Sequence, residues 1–236
     1  MQHFFVSSEN VKGDRIEISD DEVLHQINRV LRMNVGYEFI ALDGSGYEFI
    51  CRISQIDKNK ISAQIKEKRL NAAEPKTHII LYQALTKKME SFEFALQKCT
   101  ELGVSEFVPM ITEFTQREGV TKPERLRKIL REAAEQCERG KIPVLRDEIK
   151  FSEAMKEKLS CPILLHARGQ NSPLRLQAEN ANKIGVCEIF IGPEGGFSEK
   201  EVDCAQNANF RVCSLGKTIL RAETAAISAA TIIINE

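Results

Sequence analysis

The sequence predicts two domains: a β-rich N-terminal domain and an α/β domain built on a mostly parallel sheet. Short apolar runs separated by turn residues fill positions 1–70, a pattern that is typical of short strands and fits a small barrel. From position 78 to 236, apolar strands alternate with amphipathic helices. Such alternation indicates parallel strands covered by helices on both faces. Residues 71–77 are polar, contain a proline and are predicted to form a linker.

The elements of the first domain follow from local periodicity. Strands are predicted at 3–6, 15–18, 38–42, 48–53 and 60–65. Asp43-Gly44-Ser45-Gly46 predicts a hairpin turn, because glycine readily adopts the positive φ of a tight turn. Positions 20–33 are predicted to be helical, since their apolar residues fall on one face.

The elements of the second domain are longer and have clearer end signals. Strands are predicted at 79–85, 106–111, 163–167, 186–191 and 210–215, and helices at 90–102, 123–138, 151–159, 198–208 and 222–234. Gly103 is expected to end one helix in the left-handed conformation. Pro123 fits the first turn of the next helix. Ser198 and Glu201 have the spacing of a capping box.

Composition narrows the class of protein. Hydrophobic residues make up 42% of the 236-residue chain and charged residues 28%, as in soluble globular proteins. The N-terminus lacks the pattern of a signal peptide, and no apolar run has the length of a membrane span. The seven cysteines form no CxxC pair and no two of the four histidines have ligand spacing, so a metal site is not expected. These features predict a soluble cytoplasmic protein with buried, reduced thiols and no membrane partner.

The charge of the chain is balanced overall but not locally. The net charge is −1, which alone argues against a nucleic-acid partner. Between positions 117 and 146, however, basic residues outnumber acidic ones. This stretch is either a solvated helix face with i,i+4 ion pairs or a basic surface for nucleic acid, and the sequence leaves both interpretations open.

Three predicted strand ends are candidate ligand sites, because ligands of open parallel sheets bind beyond the carboxyl ends of strands. The first, 191–198, carries three glycines and a proline between a strand and a capped helix. The second is 214–225. Its Gly216-Lys217-Thr218 is not a phosphate-binding loop, because Arg211 stands where that motif needs glycine. The third, 164–169, contains His166, which alone is better interpreted as a packing residue than as a base.

These segments carry a resemblance to a known family. IGPEGGFSEKEV (191–202) and SLGKTILRAETAAISAA (214–230) resemble the SPOUT methyltransferases, and most closely the bacterial family that methylates N3 of a uridine in 16S rRNA. The similarity extends to QKCTELGVSEFVPMIT (97–112), ERLRKILREAAEQCERGKIP (124–143) and HQINRVLRMNVGYEFIALDGSG (25–46). It therefore spans nearly the whole chain.

The resemblance implies a PUA-like RNA-binding β-barrel followed by a SPOUT-type domain with a C-terminal trefoil knot. It also implies a homodimer in which 222–234 packs across the interface, and 16S rRNA of the small ribosomal subunit as the substrate. The expected S-adenosyl-L-methionine pocket is lined by Leu165, His166, Ile191, Gly192, Gly196, Leu215, Gly216, Ile219, Leu220 and Ala225.

Catalytic and RNA-binding residues are hypotheses built on that resemblance. N3 of uridine must lose a proton, so a cation that stabilises the uracil anion is needed, and Arg221 oriented by Glu223 fits this role. The alternative is that the two residues only cap the last helix. The expected RNA contacts are Arg29, Arg32, Lys87, Arg125, Arg131 and Arg139. A related enzyme acting on another rRNA or tRNA nucleotide, and a non-catalytic RNA-binding protein, are the remaining functional alternatives.

Overall fold

The computed structural model describes residues 1–169 and 171–234, so positions 170, 235 and 236 of the expected second domain lie outside the described residues. The chain forms two compact units. The first contains Met1–Glu74 and Ala134–Ile142, and the second contains Pro75–Ala133 and Pro143–Glu236. The sequence pattern assigns 134–142 to the α/β domain, whereas the structure places this stretch in the first unit.

The first unit contains six strands, one short α-helix, a 3₁₀ turn at Ser8–Asn10 and a π-helical turn. The strands are β1 (His3–Phe5), β2 (Val11–Lys12), β3 (Arg15–Ile18), β4 (Glu38–Leu42), β5 (Tyr47–Asp57) and β6 (Lys60–Leu70). They form one sheet in the order β1-β4-β5-β6-β3-β2, in which only the β1–β4 pair is parallel. The predicted hairpin joins β4 to β5, and both of its glycines have positive φ.

The helix of the first unit is shorter than the sequence pattern predicts. Helix α1 (Asp21–His25) is capped by the Asp20 carboxylate, which accepts hydrogen bonds from two backbone N–H groups. It continues as a π-helical turn, Gln26–Val30, and stops at Arg32, whose φ is +50°. The left-handed conformation of Arg32 cannot continue a right-handed helix, which explains why the predicted helix does not reach residue 33.

The stretch 134–142 completes the core of the first unit. Ala134 and Ile142 pack in an apolar cluster with Phe5, Ile40 and Leu42. The backbone N–H of Phe5 also donates to the Glu135 carboxylate at 2.9 Å. Burial of this apolar surface is the driving force that adds the stretch to the first sheet.

Arg139 is the charged centre of this stretch. It is 2% exposed, and its guanidinium forms an ion pair with Glu74, with Nη2 and Oε2 2.9 Å apart. Glu74 also accepts the backbone N–H of Lys141 at 3.0 Å. The expectation that Arg139 contacts RNA does not fit this burial, because its donors are turned to a partner inside the unit. The structure gives Arg139 a structural role instead.

The second unit contains eight strands and six helices within the described residues 75–133, 143–169 and 171–234. The strands are β7 (His78–Ala84), β8 (Glu106–Ile111), β9 (Val144–Leu145), β10 (Ile149–Lys150), β11 (Pro162–Leu165), β12 (Ser172–Pro173), β13 (Val186–Ile191) and β14 (Arg211–Ser214). The helices are α2 (Met89–Leu102), α3 (Pro123–Gln136, of which the last three residues belong to the first unit), α4 (Phe151–Ala154), α5 (Arg175–Ile184), α6 (Glu199–Asn207) and α7 (Ala222–Ile234).

The sheet of the second unit is parallel throughout, as predicted. Its order is β10-β8-β7-β13-β11-β14-β12, and β9 pairs with β8. Tyr82 and Phe190 stack within its core with ring centroids 4.2 Å apart. Because β13, β11 and β14 are neighbours and all parallel, their carboxyl ends lie side by side at one edge of the sheet.

Most predicted ends of elements in this unit are confirmed. Gly103 ends α2 with a φ of +108°, and Ser198 and Glu201 form the capping box of α6. The helix predicted at 151–159 is only one turn long, and α5 was not predicted at all. Five of the seven cysteines are buried, whereas Cys204 is exposed. Among the described residues, no helix has the length and apolar character needed to cross a membrane.

Candidate cofactor cavity and active site

One cavity lies at the carboxyl ends of β11, β13 and β14. Its volume is about 590 Å³, within the range of small-molecule sites in proteins. The residues around it come from four segments of the second unit: Phe114, 165–169, 191–199 and 214–225. The last three segments are the loops that the strand-end rule selected from the sequence.

All ten side chains or glycines expected to hold the cofactor line this one cavity. They are Leu165, His166, Ile191, Gly192, Gly196, Leu215, Gly216, Ile219, Leu220 and Ala225. Sequence reasoning missed other lining residues, among them Phe114, Arg168, Pro193, Glu194, Gly195 and Thr218. Most of these lie inside the three predicted segments, so a prediction made for whole loops rather than for single positions would include them.

The glycine-rich loop is closely folded on itself. A Cβ at Gly192 would lie 3.0 Å from the carbonyl carbon of Gly196, and the Gly196 N–H donates to the Pro193 carbonyl at 2.9 Å. In contrast, no atom lies within 4 Å of the Cβ positions of Gly196 and Gly216. The loop therefore presents bare backbone to an open space, which is the arrangement that lets a ligand approach amide and carbonyl groups closely.

The glycine-rich loop is also hydrogen-bonded to another segment through Glu194, near its middle. The Glu194 carboxylate accepts the backbone N–H of Lys87 at 3.0 and 3.2 Å. The carbonyl of Lys87 in turn accepts a hydrogen bond from Nη1 of Arg117 at 3.3 Å. These contacts link the segment after β7 to the glycine-rich loop in the cavity wall.

His166 lies in the cavity wall at the end of β11. Burial lowers the pKa of its imidazole, and the nearby Arg168 guanidinium lowers it further. The ring is therefore uncharged at neutral pH. Its backbone N–H donates to the Cys213 carbonyl at 2.9 Å, so the backbone of His166 continues the hydrogen bonding between β11 and β14.

The two candidate catalytic residues flank the cavity but are not part of its wall. Arg221 is exposed and lies between the lining residues Leu220 and Ala222, and its carbonyl accepts the N–H of Ala225 at 2.8 Å, at the start of α7. Within residues 1–169 and 171–234, no ion pair joins Arg221 to Glu223. The alternative interpretation, in which an Arg–Glu pair caps α7, therefore lacks its ion pair in this structure.

The other candidate RNA contacts have different surroundings. Arg29 and Arg32 are exposed on the first unit, and Lys87 is exposed on the second. Arg125 is exposed and paired with Glu93, with Nη2 and Oε2 2.8 Å apart, whereas Arg131 is half-buried on α3. No group of three or more metal-binding side chains occurs in the part of the chain that the structure describes.

Comparison with known proteins identifies the class. A family model for the RNA methyltransferase domain matches residues 73–234, and one for the RNA methyltransferase PUA domain matches residues 18–66. The chain therefore belongs to the RNA methyltransferase family, with a PUA-like domain at its N-terminal end. These matches confirm the expected combination of a PUA-like domain and an α/β methyltransferase domain.

Individual relatives narrow the family. The chain is 33% identical to ribosomal RNA small subunit methyltransferase E of Rickettsia conorii, over 95% of this chain and 91% of that protein. Among solved structures, it is similar to ribosomal RNA small subunit methyltransferase E of Neisseria gonorrhoeae bound to S-adenosyl methionine, with 27% identity, a TM-score of 0.87 and coverage of 98% and 95% of the two chains. A methyltransferase of Legionella pneumophila in complex with the same cofactor is 29% identical, with a TM-score of 0.83 and coverage of 98% and 96%.

Changing Gly192 to alanine is expected to weaken cofactor binding. The new Cβ would meet the Gly196 backbone at 3.0–3.1 Å, and relieving that overlap must move the loop. Overpacking of this kind costs about 1–3 kcal/mol, which corresponds to roughly tenfold weaker binding or more. Calorimetric titration with S-adenosylmethionine measures the effect.

The matched control is Gly185→Ala. Gly185 ends α5 with a φ of +79° and lies outside the cavity. Its substitution strains the backbone and lowers stability, but it leaves the dissociation constant of the cofactor unchanged. Wild-type affinity in the Gly192→Ala protein would show that the glycine-rich loop does not hold the cofactor.

Proposed function

We propose that this chain transfers the methyl group of S-adenosylmethionine to N3 of a uridine in 16S rRNA of the small ribosomal subunit. The observation that carries the proposal is the cavity of about 590 Å³ built by the loops after β11, β13 and β14. It combines apolar side chains with bare glycine backbone, which suits an adenine ring and its polar edges. The relatives from Rickettsia conorii and Neisseria gonorrhoeae are small subunit rRNA methyltransferases according to their names.

The residues present fit this cofactor. Leu165, Ile191 and Leu215 offer apolar surface at three adjacent strand ends. The space beside Gly196 and Gly216 leaves backbone groups free to meet polar atoms. S-adenosylmethionine supplies, when bound, an electrophilic methyl group on a sulfonium.

The chain itself must position the base and stabilise its anion. The nitrogen that accepts the methyl group has to lose a proton, and the negative charge then spreads to the uracil oxygens. We assign Arg221 to hold those oxygens, because a guanidinium stays charged and offers a planar set of donors. Its location between two cavity-lining residues supports this assignment. Glu223 is assigned to orient Arg221 or the substrate once RNA is bound.

We assign RNA contacts to cations on each unit separately, all of them exposed except the half-buried Arg131. Arg29 and Arg32 belong to the first unit, and Lys87, Arg125 and Arg131 to the second. Contacts to phosphate would position the protein, and only the modified base would be read directly. The net charge of −1 predicts modest affinity for free RNA, so an assembled subunit in the cytoplasm is the preferred substrate.

We also propose that the chain forms a homodimer through α7. This helix is apolar around most of its circumference, and Ile227 and Ile232 stay partly exposed in the single chain. Partly exposed apolar faces of this kind mark protein interfaces. We also propose that the chain has the C-terminal trefoil knot that the resemblance implies. Light scattering coupled to gel filtration measures the oligomeric state, and a monomer mass would contradict the dimer.

The test of the function is methyl transfer from labelled S-adenosylmethionine to small ribosomal subunits, followed by mass mapping of the modified nucleotide. Label at N3 of one 16S uridine is the expected result. Label on another rRNA or tRNA nucleotide would keep the enzyme class and change the substrate. Cofactor binding without any transfer would favour a non-catalytic RNA-binding protein.

A further inference from the structure

Phe114 is an exposed aromatic residue in the wall of the cofactor cavity. It is 45% exposed and belongs to the turn that follows β8, between polar neighbours. Such a residue adds little to the apolar core. A large apolar side chain left at the protein surface also forgoes the favourable free energy of burial. Among the described residues 1–169 and 171–234, it is also the one cavity-lining residue that lies outside the segments 165–169, 191–199 and 214–225.

The turn that carries Phe114 is closed by its own hydrogen bonds. The N–H of Thr112 donates to Oγ1 of Thr115 at 2.9 Å, and the N–H of Thr115 donates to the Thr112 carbonyl at 3.2 Å. The two hydroxyl oxygens are 3.0 Å apart. These hydrogen bonds join both ends of the turn, so they define the backbone position from which the Phe114 side chain extends.

A buried carboxylate fixes the turn to the rest of the site. The N–H of Glu113 donates to Oε1 of Glu201 at 2.9 Å, while Oε2 of Glu201 accepts the N–H of Ser198 at 2.9 Å. Glu201 is only 9% exposed. One side chain therefore links the turn to the capping box that begins α6, directly after the glycine-rich loop.

Phe114 also packs on the glycine-rich loop. A Cβ at Gly195 would lie 3.0 Å from the Cβ of Phe114 and 3.4 Å from its Cγ and Cδ2. The absence of a side chain at position 195 thus allows the aromatic residue to approach the loop backbone. Contacts on this side leave the exposed part of the ring available to a molecule that enters from solvent.

We propose that Phe114 is the stacking surface for the target base in the methyl-acceptor site. This inference rests on the proposed function and adds a substrate-positioning residue to it. Enzymes that modify a base in RNA or DNA extrude it and stack it against aromatic or apolar side chains. A half-exposed ring in the wall of the cofactor cavity meets that requirement. The exposed Ile219 lines the same cavity and adds apolar surface there.

The first test is Phe114→Ala in the full-length protein. Loss of one base–aromatic stack lowers kcat/KM for small ribosomal subunits, measured at saturating S-adenosylmethionine, by about 5-fold to 150-fold. Phe114→Tyr restores activity because it keeps the ring. Phe94→Ala is the control, since Phe94 is 46% exposed on α2 and outside the cavity. Unchanged kcat/KM in Phe114→Ala at saturating S-adenosylmethionine overturns the proposal.

The second test does not depend on catalysis. The chain contains no tryptophan, so Phe114→Trp places the one tryptophan of the protein at the proposed stacking surface. Small subunits added with S-adenosylhomocysteine should quench its fluorescence, because a base stacks on the indole, whereas Phe94→Trp should not respond. If wild-type protein fails to methylate the subunit, the proposed function fails, and quenching still decides the role of Phe114. Equal responses of the two variants refute that role.

Discussion

Replacing Arg221 by alanine is expected to lower kcat for methyl transfer by about 100-fold to 1000-fold, the usual cost of removing one donor that stabilises a developing anion. The side chain is exposed and forms no ion pair with Glu223 in the described structure, so its loss should not disturb the fold. Cofactor affinity is expected to stay at the wild-type value. Single-turnover kinetics at saturating S-adenosylmethionine and subunits measure the chemical step.

Two further variants make the Arg221 result specific. Arg221→Lys keeps the charge but loses the planar set of donors, so it should recover only part of the activity. Arg211→Ala removes an exposed arginine at the start of β14, outside the cavity, and should leave kcat unchanged. A wild-type kcat in Arg221→Ala would show that Arg221 does not stabilise the uracil anion and that it only precedes α7.

Replacing Arg139 by methionine is expected to destabilise the first unit strongly. The substitution keeps most of the volume but leaves the Glu74 carboxylate without its guanidinium partner. Breaking a buried ion pair from one side costs about 3–5 kcal/mol. Urea unfolding followed by circular dichroism measures the change in the free energy of unfolding.

Arg125→Met is the matched control for Arg139. It breaks an arginine–glutamate pair in which the arginine side chain is 62% exposed rather than 3% exposed. Exposed pairs contribute about 1 kcal/mol or less, so this variant should unfold nearly as the wild type does. If Arg139→Met instead lowered rRNA affinity at unchanged stability, Arg139 would be an RNA contact after all.

The sequence predicted those parts of the fold that depend on local patterns. Apolar runs located the strands of the parallel sheet, and Gly103 and Ser198 marked the ends of helices through backbone rules that act within one turn. Helix α5 was missed because its buried face consists of Ala178 and Ala181, which give little apolar periodicity. Arg32 could not be recognised as a left-handed residue, because nothing in its side chain requires that conformation.

The candidate site divides in the same way. The three cavity loops were predictable because a glycine-rich stretch after an apolar strand is a local signal with a general meaning. The burial of Arg139 was not, since it depends on Glu74, which lies 65 residues away in the sequence. Phe114 was also missed, because an aromatic residue in a polar turn acquires its role only from the contacts with Gly195 that folding creates.

The return of the chain to the first unit at Ala134–Ile142 constrains how the protein can be made. As the nascent chain leaves the ribosome, Ile40 and Leu42 on β4 emerge well before Ala134 and Ile142. Their apolar cluster is therefore incomplete until the later residues have been synthesised. Strand β7 is without its neighbour β13 for longer still, because His78 pairs with Val186 much later in the sequence. Closing such distant contacts is entropically slow, and uncovered strands are prone to aggregate meanwhile. A fragment 1–74 expressed alone would keep that apolar surface uncovered and the Glu74 carboxylate unmatched, so the first unit needs the longer polypeptide for its own integrity.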